Sequence, residues 1–355
     1  MTTHSEPPRD VLVQVYGRTD VGRSREHNED SFLVADLSSG RIALDDRLAE
    51  HHLGGRGTIF MVADGLGGAA SGEIASKMAV DVVLTELRKR WVGTGASDPA
   101  AFAAALKGAT ETANARIHAY AVQHPEHRGM GTTATIAGLL ADTLYVVQIG
   151  DSRAYLLRNG VLQQITKDQS LMQRLVEAGE ITIEEAEQSE RRNIILQALG
   201  PEGAVKIDLT HQPIRRGDAL VLCTDGLSGL IKRDDIARIA TEEPDLRTAC
   251  DMLVDLANEN GGPDNITVVI ARFGGGGLRR ATDEDSVGHS VYSISGLMGA
   301  ATPPRPMPRL PGSSAAATSS TPPRPIPFLA RGNTPYILAF VATLIVAIYL
   351  LITKL

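Results

Sequence analysis

Residues 132–165 read TTATIAGLLADTLYVVQIGDSRAYLLRNGVLQQI and contain four β-rich runs separated by connections of only two or three residues. Asn159-Gly160 is a strong signal for a type I′ hairpin turn, and Ala141-Asp142 and Gly150–Ser152 are similarly tight connections. Strands joined this closely favour antiparallel pairing, because a parallel pair needs a crossover of about a dozen residues or more. The stretch therefore predicts antiparallel β-sheet.

The same kind of pattern extends over residues 11–273. Strands are predicted at 11–19, 31–36, 57–63, 132–140, 143–149, 153–158, 161–165, 205–212, 218–223 and 265–273. Long Ala-rich helices are predicted at 71–91 and 100–123, and shorter ones at 170–178, 183–189, 234–241 and 245–260. We therefore expect an α+β fold, a four-layer α-β-β-α sandwich of two antiparallel sheets flanked by helices.

The charge of the chain is divided unevenly along its length. It has 35 basic and 42 acidic residues, and residues 274–355 hold 7 basic and 3 acidic ones, which leaves an acidic body. An acidic body suits a protein that gathers carboxylates around cations, and it argues against nucleic-acid binding, which depends on Lys and Arg contacts to phosphates. With only two cysteines, Cys223 and Cys250, neither a disulfide framework nor a Cys-based zinc site is expected.

The two ends of the chain differ from the body. Residues 1–10 are expected to be disordered, and residues 274–335 form a Gly/Pro-rich segment, with ten of the 18 prolines, that predicts a disordered linker. Residues 336–353, YILAFVATLIVAIYLLIT, carry no charge and would span roughly 27 Å as a helix, close to the ~30 Å of a bilayer core. Arginines precede this run, so we expect a single-pass membrane protein whose C-terminal helix lies in the lipid bilayer and whose body is cytoplasmic.

Acidic residues recur where a β-rich run begins or ends. The motifs are REHNED (25–30), VADGLGG (62–68), IGDSR (149–153), TDG (224–226) and GGPDN (261–265). A single Asp-Gly is most simply a turn, but carboxylates at the ends of several buried strands need a cation or hydrogen bonds to offset their desolvation. All the expected ligands are hard oxygens, which favours Mg²⁺ or Mn²⁺.

The ordered series of R-x-x-N-E-D, V-A-D-G-x-G-G, G-M-G-T-T, G-D-S-R, C-T-D-G-L and G-G-P-D-N-I-T resembles the metal-dependent protein phosphatase 2C family in its bacterial form. The resemblance covers about residues 16–273 and implies a centre of two Mn²⁺ or Mg²⁺ ions at the rim of the sandwich, with a third, weaker site. The residues it implies as metal ligands are Glu29, Asp30, Asp64, Gly65 through its carbonyl, Asp151, Asp225 and Asp264. Arg25 corresponds to the arginine that binds the substrate phosphate. The resemblance implies that Arg25, Asp64 and Asp225 are the catalytic residues.

The function implied by this resemblance is a serine/threonine protein phosphatase that hydrolyses phosphoproteins by direct attack of a metal-activated water. Its expected partners are phosphorylated proteins and a membrane Ser/Thr kinase that it opposes. Two positions depart from the family: Leu66 replaces a histidine of eukaryotic members, and Gln169 stands where the family commonly has histidine, at the start of the flap, residues 168–192. The alternatives are a non-catalytic phosphoprotein-binding member, which the complete acid set disfavours, and a metal nuclease, which the acidic body disfavours.

Overall fold

A computed structural model describes residues 10–43, 49–67, 71–189, 191 and 193–294. Within these ranges no helix is long and apolar enough to cross a membrane. The transmembrane helix predicted at 336–353 lies outside the described residues, as do the linker from 295 to 335 and nearly all of the N-terminal segment predicted to be disordered.

The elements of the described chain are as follows. The strands are β1 (Leu12–Asp20), β2 (Ser31–Asp36), β3 (Ile42–Ala43), β4 (Ala49–His52), β5 (Thr58–Ala63), β6 (Gly65–Leu66), β7 (Gly131–Thr132), β8 (Ala134–Leu140), β9 (Thr143–Ile149), β10 (Arg153–Arg158), β11 (Val161–Gln164), β12 (Asp208–Pro213), β13 (Ala219–Cys223) and β14 (Ile266–Gly274). The helices are α1 (Ser71–Arg90), α2 (Pro99–Gln123), α3 (Leu171–Glu177), α4 (Ile183–Glu187), α5 (Asp225–Ser228), α6 (Arg233–Glu242) and α7 (Leu246–Glu259).

The strands form two six-stranded sheets in which every pair is antiparallel. One sheet has the order β11-β10-β13-β14-β1-β4, and the other has the order β12-β9-β8-β5-β2-β3. A short third sheet pairs β6 with β7. The antiparallel α+β architecture expected from the sequence is confirmed.

The alternation of side chains along β14 explains the layers. Val269, Ala271 and Phe273 point into a core between the two sheets. Val268 and Ile270 point the other way and pack with α6 and α7. Since successive side chains of a strand face opposite sides, a strand that is apolar at every position must be covered on both faces. A third cluster fills the space between α1, α2 and the sheet that contains β5.

One tight connection was interpreted wrongly from the sequence. The hairpin turns at Ala141 and Asn159 are present, and both residues adopt positive φ, 55° and 52°. The connection Gly150–Ser152 is different, because β9 pairs with β8 and β12 whereas β10 pairs with β11 and β13. It therefore carries the chain from one sheet to the other, and it places Asp151 at the rim between them.

The ordered domain continues past Phe273, where the linker was expected to begin. Leu278 is only 2% exposed and belongs to the core between the sheets. Farther along, the amide of Tyr292 donates to Leu209 O at 2.8 Å, and the amide of His211 donates to Ser290 O at 2.9 Å, which lays the chain beside β12. We call residues 275–294 the strap. The predicted linker start is thus too early for the described residues, because single apolar side chains separated by polar ones anchor the strap and give no periodic signal.

Candidate active site

The antiparallel register gathers the predicted acids at one edge of the two sheets. The first residue of β2 pairs with the last residue of β5, which brings Asp30 and Asp64 to the same edge. The last residue of β13 pairs with the third residue of β14, which does the same for Asp225 and Asp264. Asp151 joins them from the crossing between the sheets. Charges on the other four acids all act on the carboxyl of Asp64, so the five lie in one cluster.

The backbone around Asp64 is held by two threonines. The amide of Asp64 donates to Thr133 Oγ1 at 2.9 Å, and its carbonyl accepts from Thr132 Oγ1 and from the amide of Thr133, both at 2.9 Å. The next residue, Gly65, is packed so closely that a Cβ there would collide with the carbonyl of Gly72 at the start of α1. The backbone of this turn therefore has little freedom, which fixes where the Asp64 side chain starts.

Asp30 is buried and depends on two other threonines. Its Oδ2 accepts hydrogen bonds from Thr267 Oγ1 at 2.6 Å and from Thr224 Oγ1 at 2.9 Å, whereas its buried Oδ1 has no hydrogen-bond partner among the described residues. Burial, reinforced by the charges of Asp225 and Asp264, raises the pKa of Asp30 to about 7, although both threonine hydrogen bonds lower it. The free oxygen is available to a cation.

Asp151 has a similar environment. Its side chain is buried, and its Oδ1 lacks a hydrogen-bond partner among the described residues. Burial first, then the charges of Asp225 and Asp168, raise the pKa of Asp151 to about 8. The same two causes, burial and neighbouring carboxylates, hold the pKa of Asp64 well above its usual range. Such mutual repulsion among buried acids is what a bound cation would relieve.

Arg25 and Glu29 approach the cluster from the loop that precedes β2. The Arg25 guanidinium donates to Asp264 Oδ2 at 2.8 Å, and this hydrogen bond raises the pKa of Arg25. The side chain of Arg25 remains 52% exposed. Burial raises the pKa of Glu29, whose backbone is anchored on both sides: its amide donates to Asn265 Oδ1 at 2.8 Å and its carbonyl accepts from Gly65.

The donor set fits a hard divalent cation. It consists of carboxylate oxygens, which are the ligands that Mg²⁺ and Mn²⁺ prefer. Among them are the buried Oδ1 atoms of Asp30 and Asp151, which have no hydrogen-bond partner in the part of the chain that the structure describes. Over the described ranges, no three acidic, His or Cys side chains already stand in a closed metal-ligand arrangement.

Several residues that shape this site were not predicted. They are Thr132, Thr133, Thr224 and Thr267, which orient the acids, and Asn265, whose amide donates to Val21 O and His27 O at 2.9 Å and so holds the loop of Arg25. Each lies within two residues of an acidic motif or in the G-M-G-T-T motif. A search for hydroxyl and amide side chains beside the predicted ligands would have found them.

Two departures from the expected motifs now have a structural setting. Leu66 is partly exposed and lies in β6, where it pairs with Gly131. Gln169 does not point away from the protein but hydrogen-bonds the backbone of Gly150, next to Asp151. The flap that follows contains α3 and α4, and the chain returns beside its own start, since the amide of Leu196 donates to Gln169 O at 2.7 Å.

Comparison with known proteins agrees with this site. The sequence model of the family described as Protein phosphatase 2C matches residues 37–265. The chain is 36% identical over 253 residues to the serine/threonine phosphatase stp of Listeria monocytogenes, and the match covers 71% of this chain and 93% of that protein. It is 37% identical over 262 residues to the serine/threonine protein phosphatase PstP of Mycobacterium tuberculosis, covering 74% of this chain and 45% of that protein.

A similarity to a solved structure extends the comparison to the fold. The crystal structure of the catalytic domain of the phosphatase PstP, in complex with two manganese ions, aligns with a TM-score of 0.60 at 34% identity. The alignment covers 74% of this chain and 99% of that one.

Proposed function

Since the chain belongs to the protein phosphatase 2C family and is a bacterial-type serine/threonine protein phosphatase, we propose that it hydrolyses phosphoserine and phosphothreonine at the carboxylate cluster described above. Phosphatases of this family use Mn²⁺ or Mg²⁺. The finer proposal is that two such ions bind between Asp64, Asp225, Asp264, Glu29, Asp30 and the carbonyl of Gly65, and that Asp151 contributes to a third, weaker site. A water molecule would attack phosphorus directly, without a phosphoenzyme. The bond from phosphorus to the Ser or Thr oxygen would break, inorganic phosphate would be released and the oxygen would take up a proton.

The observation that carries this proposal is the convergence of five acids, of which Asp30, Asp64 and Asp151 have raised pKa values. Asp30 and Asp151 each also hold a buried oxygen with no hydrogen-bond partner among the described residues. When bound, divalent cations supply positive charge to the phosphate oxygens and lower the pKa of a water molecule. The protein's part is to hold the carboxylates: Thr224 and Thr267 fix one oxygen of Asp30 and leave the other free, and Thr133 fixes the backbone of Asp64.

Arg25 is proposed to bind the substrate phosphate. Its guanidinium donates a hydrogen bond to Asp264, and its side chain remains 52% exposed. A planar guanidinium can hold two phosphate oxygens at once while its remaining nitrogen stays on a carboxylate. The pair with Asp264 thus keeps Arg25 at the rim of the cluster before substrate arrives.

We further propose that the enzyme is tethered to the cell membrane by the uncharged run 336–353 and faces the cytoplasm, where it opposes a Ser/Thr protein kinase. Support comes from the length of that run and from the arginines that precede it. A tether raises the local concentration of substrates that are phosphorylated at the same membrane.

The test of the catalytic proposal is hydrolysis of a phosphothreonine peptide by the full chain. Phosphate release should require added Mn²⁺ or Mg²⁺ and should stop with chelator. A phosphotyrosine peptide of the same sequence should be a poor substrate. Undiminished release of phosphate in chelator would overturn the proposed use of metal, and hydrolysis of neither peptide in any cation would overturn the proposed reaction.

A further inference from the structure

Gln169 connects three parts of the molecule that meet behind Asp151. It follows Asp168, whose carboxylate is held by Arg153 in a two-point salt bridge with distances of 2.7–3.1 Å. It also opens the flap and, through its carbonyl, receives the amide of Leu196 where the flap ends. The beginning and the end of the flap are therefore joined by a hydrogen bond at Gln169.

The same residue holds both backbone groups of Gly150. Its amide N–H donates to Gly150 O at 2.8 Å, and its side-chain Oε1 accepts from the amide of Gly150 at 3.1 Å. Gly150 has φ of +95°, and a Cβ there would lie 2.6 Å from the methyl group of Thr133. The peptide that precedes Asp151 is thus clamped between the flap base on one side and Thr133 on the other.

The remaining half of the Gln169 side chain reaches the strand β12. Its amide nitrogen donates to Asp208 Oδ2 at 3.0 Å and to Lys206 O at 3.3 Å. Because Asp208 is the first residue of β12, on whose other residues the strap is laid, this contact ties the corner to the far edge of the sheet. The side-chain amide of Gln169 therefore accepts a hydrogen bond from Gly150 and donates one to Asp208 at the same time. Only Asn and Gln side chains carry both an acceptor oxygen and a donor nitrogen on one carbon.

We propose that Gln169 is a positioning residue: it sets the place of Asp151 by clamping Gly150 and couples that corner to the flap base and to Asp208. This inference deepens the proposed phosphatase function. Only the predicted effect on kcat and KM rests on that function, whereas the predicted effect on hydrogen exchange does not. Gln169 does not touch Arg25 or the phosphate-binding side of the cluster in the described contacts. Its loss should therefore lower kcat more than it changes KM.

The test uses the full-length protein and exchanges the amide of Gln169 and the carboxylate of Asp208 between the two positions. Gln169→Leu removes all the side-chain hydrogen bonds of this residue, and Gln169→Glu replaces the donor with a charge that repels Asp208. The double variant Gln169→Glu with Asp208→Asn keeps the acceptor for Gly150, removes the repulsion and restores a donor–acceptor pair between positions 169 and 208. Gln163→Leu, at an exposed position of the neighbouring strand β11, is the control.

Two measurements are made on each variant. In hydrogen exchange, the amide of Gly150 should exchange about fivefold faster in Gln169→Leu, which removes its acceptor, and in Gln169→Glu, whose side chain is displaced by repulsion from Asp208. This rate corresponds to the loss of one net hydrogen bond of about 1 kcal/mol. It should return to the wild-type rate in the double variant. With a phosphothreonine peptide and Mn²⁺, kcat should fall about tenfold in the single variants, with KM within about twofold, and should recover in the double variant.

The outcomes separate the positioning role from the proposed function. Single variants with wild-type exchange and kcat, or a double variant no better than Gln169→Glu, would overturn the role of Gln169. If the wild-type protein hydrolyses no phosphopeptide, the proposed function fails, and the exchange of Gly150 still decides whether Gln169 clamps the corner.

Discussion

Replacing Leu278 with alanine tests whether the strap is part of the folded domain. Leu278 is 2% exposed and packs in the core between the two sheets, so the substitution removes buried methyl groups and leaves a cavity. Substitutions of this kind cost about 2–5 kcal/mol. Taking about 3 kcal/mol, and about 2–4 °C per kcal/mol for a domain of this size, Tm should fall by roughly 6–12 °C.

The assay is thermal unfolding of the full-length protein in chelator, followed by circular dichroism. Val291→Ala is the matched control, because Val291 lies in the same strap but is 68% exposed, and its loss should change stability by less than about 0.5 kcal/mol. Equal melting temperatures for Leu278→Ala and Val291→Ala would refute the packing of the strap. That result would also mean that the folded domain ends at Phe273.

The other predictions concern pH, phosphate and the membrane. Asp30 and Asp151 have pKa values of about 7 and about 8 in the folded protein, above the ~3.9 of an unfolded chain. Their contribution to stability is therefore fully present below about pH 4, falls progressively as the pH rises, and is lost once the pH exceeds the folded pKa values. The metal-free protein should thus have a lower Tm at pH 9 than at pH 5.5, and a higher one would contradict the burial of these acids. Arg25→Ala should raise KM for a phosphopeptide about 10–100-fold, which corresponds to the loss of a charge-assisted hydrogen bond, and Mn²⁺ should still raise Tm. An unchanged KM together with a loss of Mn²⁺ binding would mean that Arg25 supports the metal site and does not bind phosphate. The full chain should sediment with membranes and resist carbonate extraction, whereas a chain ending at Ile294 should stay in the supernatant; membrane binding by the shorter chain would place the anchor elsewhere.

Local patterns in the sequence were sufficient for most of the fold. The bounds of β2, β9 and β10 were predicted to the residue, because largely apolar, β-rich runs end at turn residues such as Asn159-Gly160. The gathering of the acids at one edge also followed from the sequence, since antiparallel register brings strand ends together. Their roles as ligands remain predictions.

What the sequence did not reveal depends on contacts between distant segments. A corner of three residues looks the same whether it turns within a sheet or crosses to another, and the crossing at Gly150–Ser152 is decided by which strands flank β9 and β10. No strand was predicted between the strands at 31–36 and 57–63, but Ala49–His52 pair with β1, and no alternation marks so short a strand. The pairing of Arg25 with Asp264 joins residues 239 positions apart.

The central claim, that the carboxylate cluster is a catalytic cation site, is tested most directly by the effect of Mn²⁺ on Asp64→Asn. Asp64 has a raised pKa because of burial and four neighbouring acids, so removing its charge should leave the melting temperature in chelator unchanged or higher. The control is Asp81→Asn, at an exposed position in the middle of α1.

The measurement is Tm with and without saturating Mn²⁺, combined with turnover of a phosphothreonine peptide. Mn²⁺ should raise Tm of the wild type and of Asp81→Asn, because a ligand that binds only the folded state stabilises it. Asp64→Asn should lose most of this rise, and its turnover should fall by about two orders of magnitude or more. If Asp64→Asn keeps both the Mn²⁺-induced rise in Tm and the wild-type turnover, the cluster is not the catalytic cation site.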